Sequence, residues 1–130
     1  MLHSNDTFIK ALRILLGFIL LVFSLNGFLG FLPMPDSPDA ASKFLQSMGR
    51  AEFVFPLLYG VEIVLGVMLL FNLYSALAIL GFVPIAVNIL LYHLFLDPAG
   101  GVVGYITVLV EIVLLTAYFT HYKNLFKLRP

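Results

Sequence analysis

The chain has 130 residues, of which 62% are hydrophobic and 11% are charged, and its net charge is zero. A soluble domain has about 45–50% apolar and about 25% charged residues, so this composition excludes an ordinary water-soluble domain. The balanced charge gives no electrostatic basis for binding nucleic acid, and the absence of cysteine excludes thiol redox chemistry and thiolate-bound metal.

Four apolar segments are long enough to cross a bilayer, which takes about 20 mostly apolar residues in a helix. We predict membrane spans at about 10–32, 53–71, 74–96 and 102–121. The first is longer than the usual signal-peptide core of about 7–15 residues and no A-x-A-like site follows it, so we expect it to be retained. Very short links join the last three spans and favour antiparallel neighbours. The predicted fold is therefore all-α, a four-transmembrane-helix up-down bundle that forms one domain over residues 1–130.

The outer loop at 33–52 is predicted to hold a short amphipathic helix. Three prolines within six residues end the first span. Ser37 is predicted to be the N-cap of this helix and Pro38 its first residue. Gly49 is predicted to end the helix. The apolar residues of this helix share one face: Ala41, Phe44, Leu45 and Met48. We expect the helix to lie on the membrane surface or to cap the mouth of the bundle.

The distribution of Lys and Arg predicts the orientation. With four spans both termini share a side, and that side carries five basic residues: Lys10, Arg13, Lys123, Lys127 and Arg129. The opposite side carries only Lys43 and Arg50, accompanied by several acidic residues. The positive-inside rule therefore places both termini in the cytoplasm.

The tetrapeptide VEIV occurs twice, at 61–64 in the second span and at 110–113 in the fourth. The first and third spans also share similar stretches, LLGFI at 15–19 and ILGFV at 79–83. These matches suggest a duplicated helical hairpin whose copies are parallel repeats, although apolar segments also match by chance. In a duplicated chain, Glu62 and Glu111 would be equivalent positions that face each other across the bundle.

Both glutamates lie nine residues into a span and therefore near the bilayer midplane. A charge there costs about 2.5–3.5 kcal/mol on insertion scales. We expect at least one of them to be protonated at neutral pH, with a hydrogen bond to Asn26, Asn88 or the other glutamate. The alternative is a polar network that only fixes helix pairing, in which glutamine would serve as well at lower cost.

Small and polar residues form a stripe on each of the last three spans, as is typical of helix interfaces in lipid. The stripes are Tyr59, Glu62 and Gly66 on the second span, Gly81, Pro84 and Asn88 on the third, and Gly104, Thr107, Glu111 and Tyr118 on the fourth. His93 and Asp97 lie four residues apart near the outer boundary, where a helix-end pair is the alternative to a functional role. No metal site is predicted, because His93 lies several turns from the depth of the two glutamates. A bis-His haem is not predicted either, because His93 and His121 lie at opposite ends of the bundle.

Particular motifs make the chain resemble the DoxX-like family of small bacterial membrane proteins. They are RILLGFILLVFSLNGFLGFLPMP in the first span, GVEIVLGVMLL in the second and VNILLYHLFLDPAG at the end of the third. The resemblance implies a four-helix membrane bundle in the bacterial inner membrane. The family is named after a subunit of a membrane thiosulfate:quinone oxidoreductase. The resemblance therefore implies a quinone-binding or anchoring subunit, with the electron-transfer chemistry in a partner oxidoreductase. We expect no enzymatic activity from the chain alone.

The first functional hypothesis is a membrane subunit that binds a quinone or another small apolar ligand between its helices. Five residues are candidates for binding the polar head or relaying protons: Glu62, Glu111, Asn26, Asn88 and His93. Four more are candidates for supporting them: Tyr59, Thr107, Asp97 and Pro84.

Two other hypotheses remain open at this point. A proton-coupled transporter or channel could use midplane carboxylates as a relay, but four helices leave little room for a water path, so it would require a homo-oligomer. A non-catalytic scaffold or assembly factor would use the polar residues only to fix the bundle and would recruit a partner through the outer loop helix.

Overall fold

The computed structural model of the protein describes residues 2–34 and 36–129. Over this part the chain is all-helical, which confirms that the fold is all-α. The helices are α1 (Thr7–Leu29), α2 (Asp39–Arg50), α3 (Val54–Leu70), α4 (Ser75–Phe95), α5 (Val102–Ala117) and α6 (Phe119–Tyr122). A short 3-10 helix, Lys123–Phe126, follows α6.

The four long helices pack in a ring in which α1 contacts α3 and α5, and α4 also contacts α3 and α5. Neighbours in the ring run antiparallel. Gly17 of α1 lies against Gly66 of α3, whereas Gly27, further along α1, lies against Tyr59, nearer the start of α3. In the same way His93 at the end of α4 lies against Gly104 near the start of α5. The short links therefore join antiparallel neighbours, as predicted.

Apolar side chains fill the ring and also cover its outside. The interior is built from fully buried side chains of all four helices: Leu16, Leu69, Ile79, Phe82 and Leu114. Large apolar side chains on the outer faces are exposed, for example Phe18, Val64, Leu77 and Leu109. A continuous apolar exterior of this kind marks a surface that contacts lipid rather than water.

Two helices, α1 and α4, are long and apolar enough to cross a membrane by themselves. α3 has 17 residues and α5 has 16, and each passes the same test only together with a bent neighbour. α2 meets α3 at 91°, and the segment from Phe119 to Phe126 meets α5 at 67°. The chain is therefore a membrane protein with two to four candidate spans.

The helix bounds differ from the predicted spans in ways that the backbone explains. α1 ends at Leu29 rather than at 32 because Gly30 adopts a left-handed conformation with φ 65°, a common helix terminator. The third span does not begin at Tyr74, since Asn72 and Tyr74 also have positive φ and form the turn after α3. The fourth span does not run straight to 121, because the helical path breaks at Tyr118.

The outer loop contains the predicted helix, with corrected ends. α2 begins at Asp39, so Pro38 and not Ser37 occupies the cap position, and the Ser37 carbonyl instead accepts a 3.3 Å hydrogen bond from Ser42 Oγ. Gly49 lies inside the last turn rather than ending the helix. The apolar face is as predicted: Ala41 is fully buried, and Phe44, Leu45 and Met48 are turned towards the space between α3 and α4. α2 thus covers one end of the ring.

Candidate functional site

The Glu62 cavity, as we name it, lies between α2, α3 and α4 and has a volume of about 660 Å³. Binding sites for small molecules typically measure about 300–1,000 Å³ and combine apolar walls with a few polar groups. Here the walls are mainly aromatic and aliphatic: Phe44 and Met48 from α2, Phe55 and Leu58 from α3, and Ile85, Ile89 and Tyr92 from α4. The apolar face of α2 is therefore part of a cavity wall.

Three of the five residues predicted to bind a ligand line this one cavity: Glu62, Asn88 and His93. Glu62 is 8% exposed, and the described hydrogen bonds include none to its carboxyl group. Asn88 Nδ2 donates a 2.8 Å hydrogen bond to the carbonyl of Pro84, one turn earlier on α4. An amide nitrogen carries two hydrogens, so Asn88 has a second donor for a ligand.

His93 is held at the end of α4 by aromatic rings and by the start of α5. Its ring lies edge-on to Tyr92 at 5.0 Å between centroids and 5.9 Å from the ring of Tyr105. Gly101 and Gly104 make room for it, since a methyl group on either would come within 2.9 Å of ring atoms of His93. Spacing alone did not indicate that these glycines make room for the histidine.

His93 and Asp97 do not form the side-chain pair that their spacing suggests. His93 Nδ1 lies 3.3 Å from the backbone carbonyl of Asp97, while Asp97 Oδ1 accepts a 3.1 Å hydrogen bond from the amide of Gly100. Asp97 therefore shapes the turn between α4 and α5. This arrangement matches the alternative of a helix-end structure.

The Glu111 cavity is smaller, about 140 Å³, and lies between α4 and α5. The Glu62 cavity takes residues 91–93 and 95 near the end of α4. Along the stretch of α4 that both cavities share, the Glu111 cavity takes the residues at 83, 86, 87 and 90, and the Glu62 cavity takes those at 85, 88 and 89. At 100° per residue these two sets occupy opposite faces of α4. The two glutamates therefore line separate cavities with α4 between them.

Glu111 is 2% exposed, and neither of its carboxyl oxygens has a hydrogen-bond partner within residues 2–34 and 36–129. The expected hydrogen bond from Glu111 to Asn26, Asn88 or Glu62 is thus not formed. Asn26 is engaged with backbone groups of the outer loop, and Asn88 lines the cavity on the other face of α4 from Glu111.

Asn26 closes the turn after α1 instead of reaching a glutamate. Its Oδ1 accepts a 2.6 Å hydrogen bond from the amide of Leu32, and its Nδ2 lies 3.7 Å from the sulfur of Met34. Its backbone carbonyl accepts the amide of Gly30 at 2.7 Å. The residue is a structural element of the outer loop.

Replacing Asn26 by alanine is expected to lower the free energy of unfolding by about 1 kcal/mol, because the amide of Leu32 loses its acceptor. Thermal unfolding in detergent measures the effect. Asn124→Ala is the matched control, since Asn124 is exposed beyond the last long helix. Equal melting temperatures for both variants would contradict the structural role of Asn26.

The remaining predicted residues make packing contacts or backbone hydrogen bonds outside the Glu62 cavity. Tyr59 packs against the rings of Phe28 and Phe55, with centroids at 5.6 and 5.8 Å. Thr107 Oγ1 donates to the carbonyl of Val103 at 2.8 Å within α5. Pro84 lies inside α4 and supplies the carbonyl that orients Asn88. None of the three lines the Glu62 cavity, although Pro84 positions a residue that does.

Arg13 is a buried polar residue whose position the sequence reasoning missed, because it treated Arg13 only as an orientation charge. Arg13 is 8% exposed, and its Nη1 donates to the carbonyl of Leu69 at the end of α3. Ile9, Leu16 and Leu20 are buried on the same face of α1. This spacing of four, three and four residues was the available signal that Arg13 faces the interior.

The residues that the structure describes contain no group of three or more His, Cys, Asp or Glu side chains able to hold a metal ion.

A family model described as DoxX matches residues 8–94, about two thirds of the chain. This range includes α1 to α3 and nearly all of α4, and with them every polar residue of the Glu62 cavity. No curated protein and no solved structure matches the chain.

Proposed function

This chain belongs to the DoxX family, and from that premise we propose that it is a membrane subunit whose Glu62 cavity binds a quinone or a similar small apolar ligand with a polar head. The observation that carries the proposal is the composition of the cavity. Apolar walls of about the right volume meet three polar side chains, Glu62, Asn88 and His93, within one space.

The chemistry of the cavity suits a quinone. A quinone ring is flat and apolar and packs against aromatic side chains such as Phe44, Phe55 and Tyr92, all of which line the cavity. Its two carbonyl oxygens need hydrogen-bond donors. A protonated Glu62 supplies one, and the second amide hydrogen of Asn88 supplies another. A neutral Glu62 also avoids the cost of a charge inside the membrane.

The proposal includes a four-span architecture for residues 1–130 as one domain. α3 and α5 are about 24–26 Å long at 1.5 Å per residue, which is near the lower limit for crossing the hydrocarbon core. The antiparallel ring supports four crossings, because the two shorter helices pack against α1 and α4, which are long enough to cross by themselves. In this proposal a partner oxidoreductase carries out electron transfer to or from the ligand, as the family resemblance implies.

The proton-transporter hypothesis finds less support. It rests on the two carboxyl groups acting as one relay across the midplane. Glu62 and Glu111 line cavities on opposite faces of α4 and share no lining residue. Nothing in the described residues joins the two cavities into one path, so the ligand-binding function is the better account.

Mass spectrometry of the gently solubilised protein and of its organic extract tests the proposal. We expect a quinone or another small redox molecule in stoichiometric amount, and its loss in Glu62→Leu. Glu111→Leu is the matched control and should retain the ligand, because Glu111 lies outside the Glu62 cavity. Extracts containing only bulk phospholipid, identical in all three proteins, would contradict the proposal.

We further propose that the protein lies in the bacterial inner membrane with both termini in the cytoplasm. The chain has no cysteine, so single cysteines report their side cleanly. Ser47→Cys on α2 and Asn124→Cys near the C-terminus both place the thiol at an exposed position. A membrane-impermeant maleimide added to spheroplasts should label Ser47→Cys at once and Asn124→Cys only after lysis. The reverse pattern would overturn this orientation.

A further inference from the structure

The chain turns sharply after α5 into residues 119–129, which we name the C-terminal segment. The part of it from Phe119 to Phe126 meets α5 at 67°. α5 packs along α4, which is long enough to cross a membrane by itself. The C-terminal segment therefore runs across the end of the bundle and does not continue the direction of α5.

Tyr122 fixes the C-terminal segment close to one membrane surface. Its side chain is 5% exposed, and its hydroxyl group donates a 2.6 Å hydrogen bond to the carbonyl of Ala76. Ala76 lies in the first turn of α4, a helix of 21 residues. A helix of this length is about as long as the hydrocarbon core is thick, so its first turn lies near the boundary with the headgroups.

Beyond Tyr122 the C-terminal segment exposes large apolar side chains. Four of them are each more than half exposed: Phe119, Leu125, Phe126 and Leu128. The rings of Phe119 and Phe126 stack with centroids 6.0 Å apart, which joins the two ends of the bend into one apolar surface. A contiguous apolar surface at the level of the membrane boundary is covered by lipid at lower cost than by water.

Basic side chains are interleaved with these apolar ones. Lys123, Lys127 and Arg129 are all exposed, and the sequence from 112 to 129 contains no Asp or Glu. A basic segment next to a membrane is attracted to anionic lipids. Long basic side chains can also leave their carbon stems on apolar surface while their charges reach the headgroups.

We propose that the C-terminal segment lies in the membrane interface and binds the anionic headgroups of phospholipids through Lys123, Lys127 and Arg129. Its exposed Phe and Leu side chains enter the boundary of the acyl chains, and its charges supply the preference for anionic lipid. This inference does not rest on a ligand in the Glu62 cavity, which α4 extends away from this end of the bundle to reach.

The full chain in nanodiscs, with a fluorophore attached at Asn124→Cys, tests the proposal. The chain has no other cysteine, and Asn124 is exposed within the segment. Two membranes of the same overall lipid composition are compared, in which the spin-labelled quencher is either phosphatidylglycerol or phosphatidylcholine. We expect phosphatidylglycerol to quench at least about twofold more strongly, because nearby Lys and Arg enrich anionic lipid. The preference should disappear at about 1 M salt, where the Debye length is only about 3 Å.

Three sets of substitutions in the labelled protein separate charge from insertion. Replacing Lys123, Lys127 and Arg129 together by glutamine should remove the preference for phosphatidylglycerol. Lys43→Gln with Arg50→Gln is the control pair on α2, at the other end of α4, and should retain it. Leu125→Gln with Phe126→Gln should weaken quenching by both lipids, because the segment inserts less deeply.

Equal quenching by the two lipids in the protein with its natural charges would overturn the proposal. A fluorophore that neither lipid quenches would also overturn it, because the segment would then lie in water, where its partner would be an acidic soluble protein. Loss of the preference in the α2 control pair would contradict the assignment to Lys123, Lys127 and Arg129. Unchanged quenching in Leu125→Gln with Phe126→Gln would contradict the insertion of the apolar side chains.

Discussion

Replacing Glu62 by leucine is expected to raise the Kd for a short-chain quinone by about tenfold. Leucine keeps the side chain apolar and of similar size, but it removes the donor from a cavity whose other walls are mainly apolar. A buried acceptor left without a donor costs about 1–3 kcal/mol, which corresponds to roughly fivefold to 150-fold in Kd. Binding of a radiolabelled quinone to the protein in nanodiscs measures the change.

The controls for this prediction come from the same chain. Glu62→Gln keeps an N–H donor and should bind within about threefold of wild type. Glu111→Leu removes the same group from the other cavity and should leave the Kd unchanged. If Glu62→Leu and Glu111→Leu weaken binding equally, the effect is not local to the Glu62 cavity and the proposed site is wrong.

Replacing Gly66 by alanine is expected to destabilise the protein by about 1–3 kcal/mol. A methyl group at this position would lie 3.0 Å from the backbone oxygen of Gly17 and 2.8 Å from Cγ of Leu21. The oxygen belongs to the backbone of α1, so the two helices would have to separate. Over-packing of a well-filled interface typically costs this much, and small residues are what permit close helix approach in lipid.

Gly60→Ala is the matched control, because it lies on the same helix and a methyl group there meets nothing within 4 Å. Alanine favours the helix by up to about 1 kcal/mol relative to glycine, so this variant should be at least as stable as wild type. Thermal unfolding in detergent compares the two variants. If Gly66→Ala were as stable as Gly60→Ala, the close contact between α1 and α3 would be contradicted.

The helices were predictable because their signal is local. Long apolar runs and short links fix the helix order and the antiparallel neighbours. The apolar face of α2 could be assigned from spacing alone, and the structure turns that face towards the interior. Helix ends were less predictable, since the left-handed Asn72 and Tyr74 follow no glycine or proline signal.

The separation of the two glutamates could not be predicted, because it depends on how each helix rotates about its own axis. Both VEIV copies lie at similar depth, and spacing places each glutamate on a polar stripe. Spacing cannot say which neighbour that stripe faces. In a ring where α4 contacts both α3 and α5, one stripe meets each face of α4.

Asn26 and Thr107 show a second limit of the sequence reasoning. Polar side chains in a lipid environment have two ways to satisfy their hydrogen bonds, within their own segment or across helices. Both residues bond to backbone atoms of their own segment. Composition and spacing predict that these residues are buried. They do not decide whether the hydrogen-bond partner lies in the same segment or on another helix.

The most direct test of the central claim is to map where a photoreactive quinone attaches. An azidoquinone is bound to the protein in nanodiscs, irradiated, and the labelled peptides are sequenced by mass spectrometry. The account predicts labelling on α2, α3 and α4 at walls of the Glu62 cavity, such as Phe44, Leu58 and Tyr92, and displacement by excess unlabelled quinone. Labelling spread over the lipid-facing surface and unaffected by competitor would contradict it.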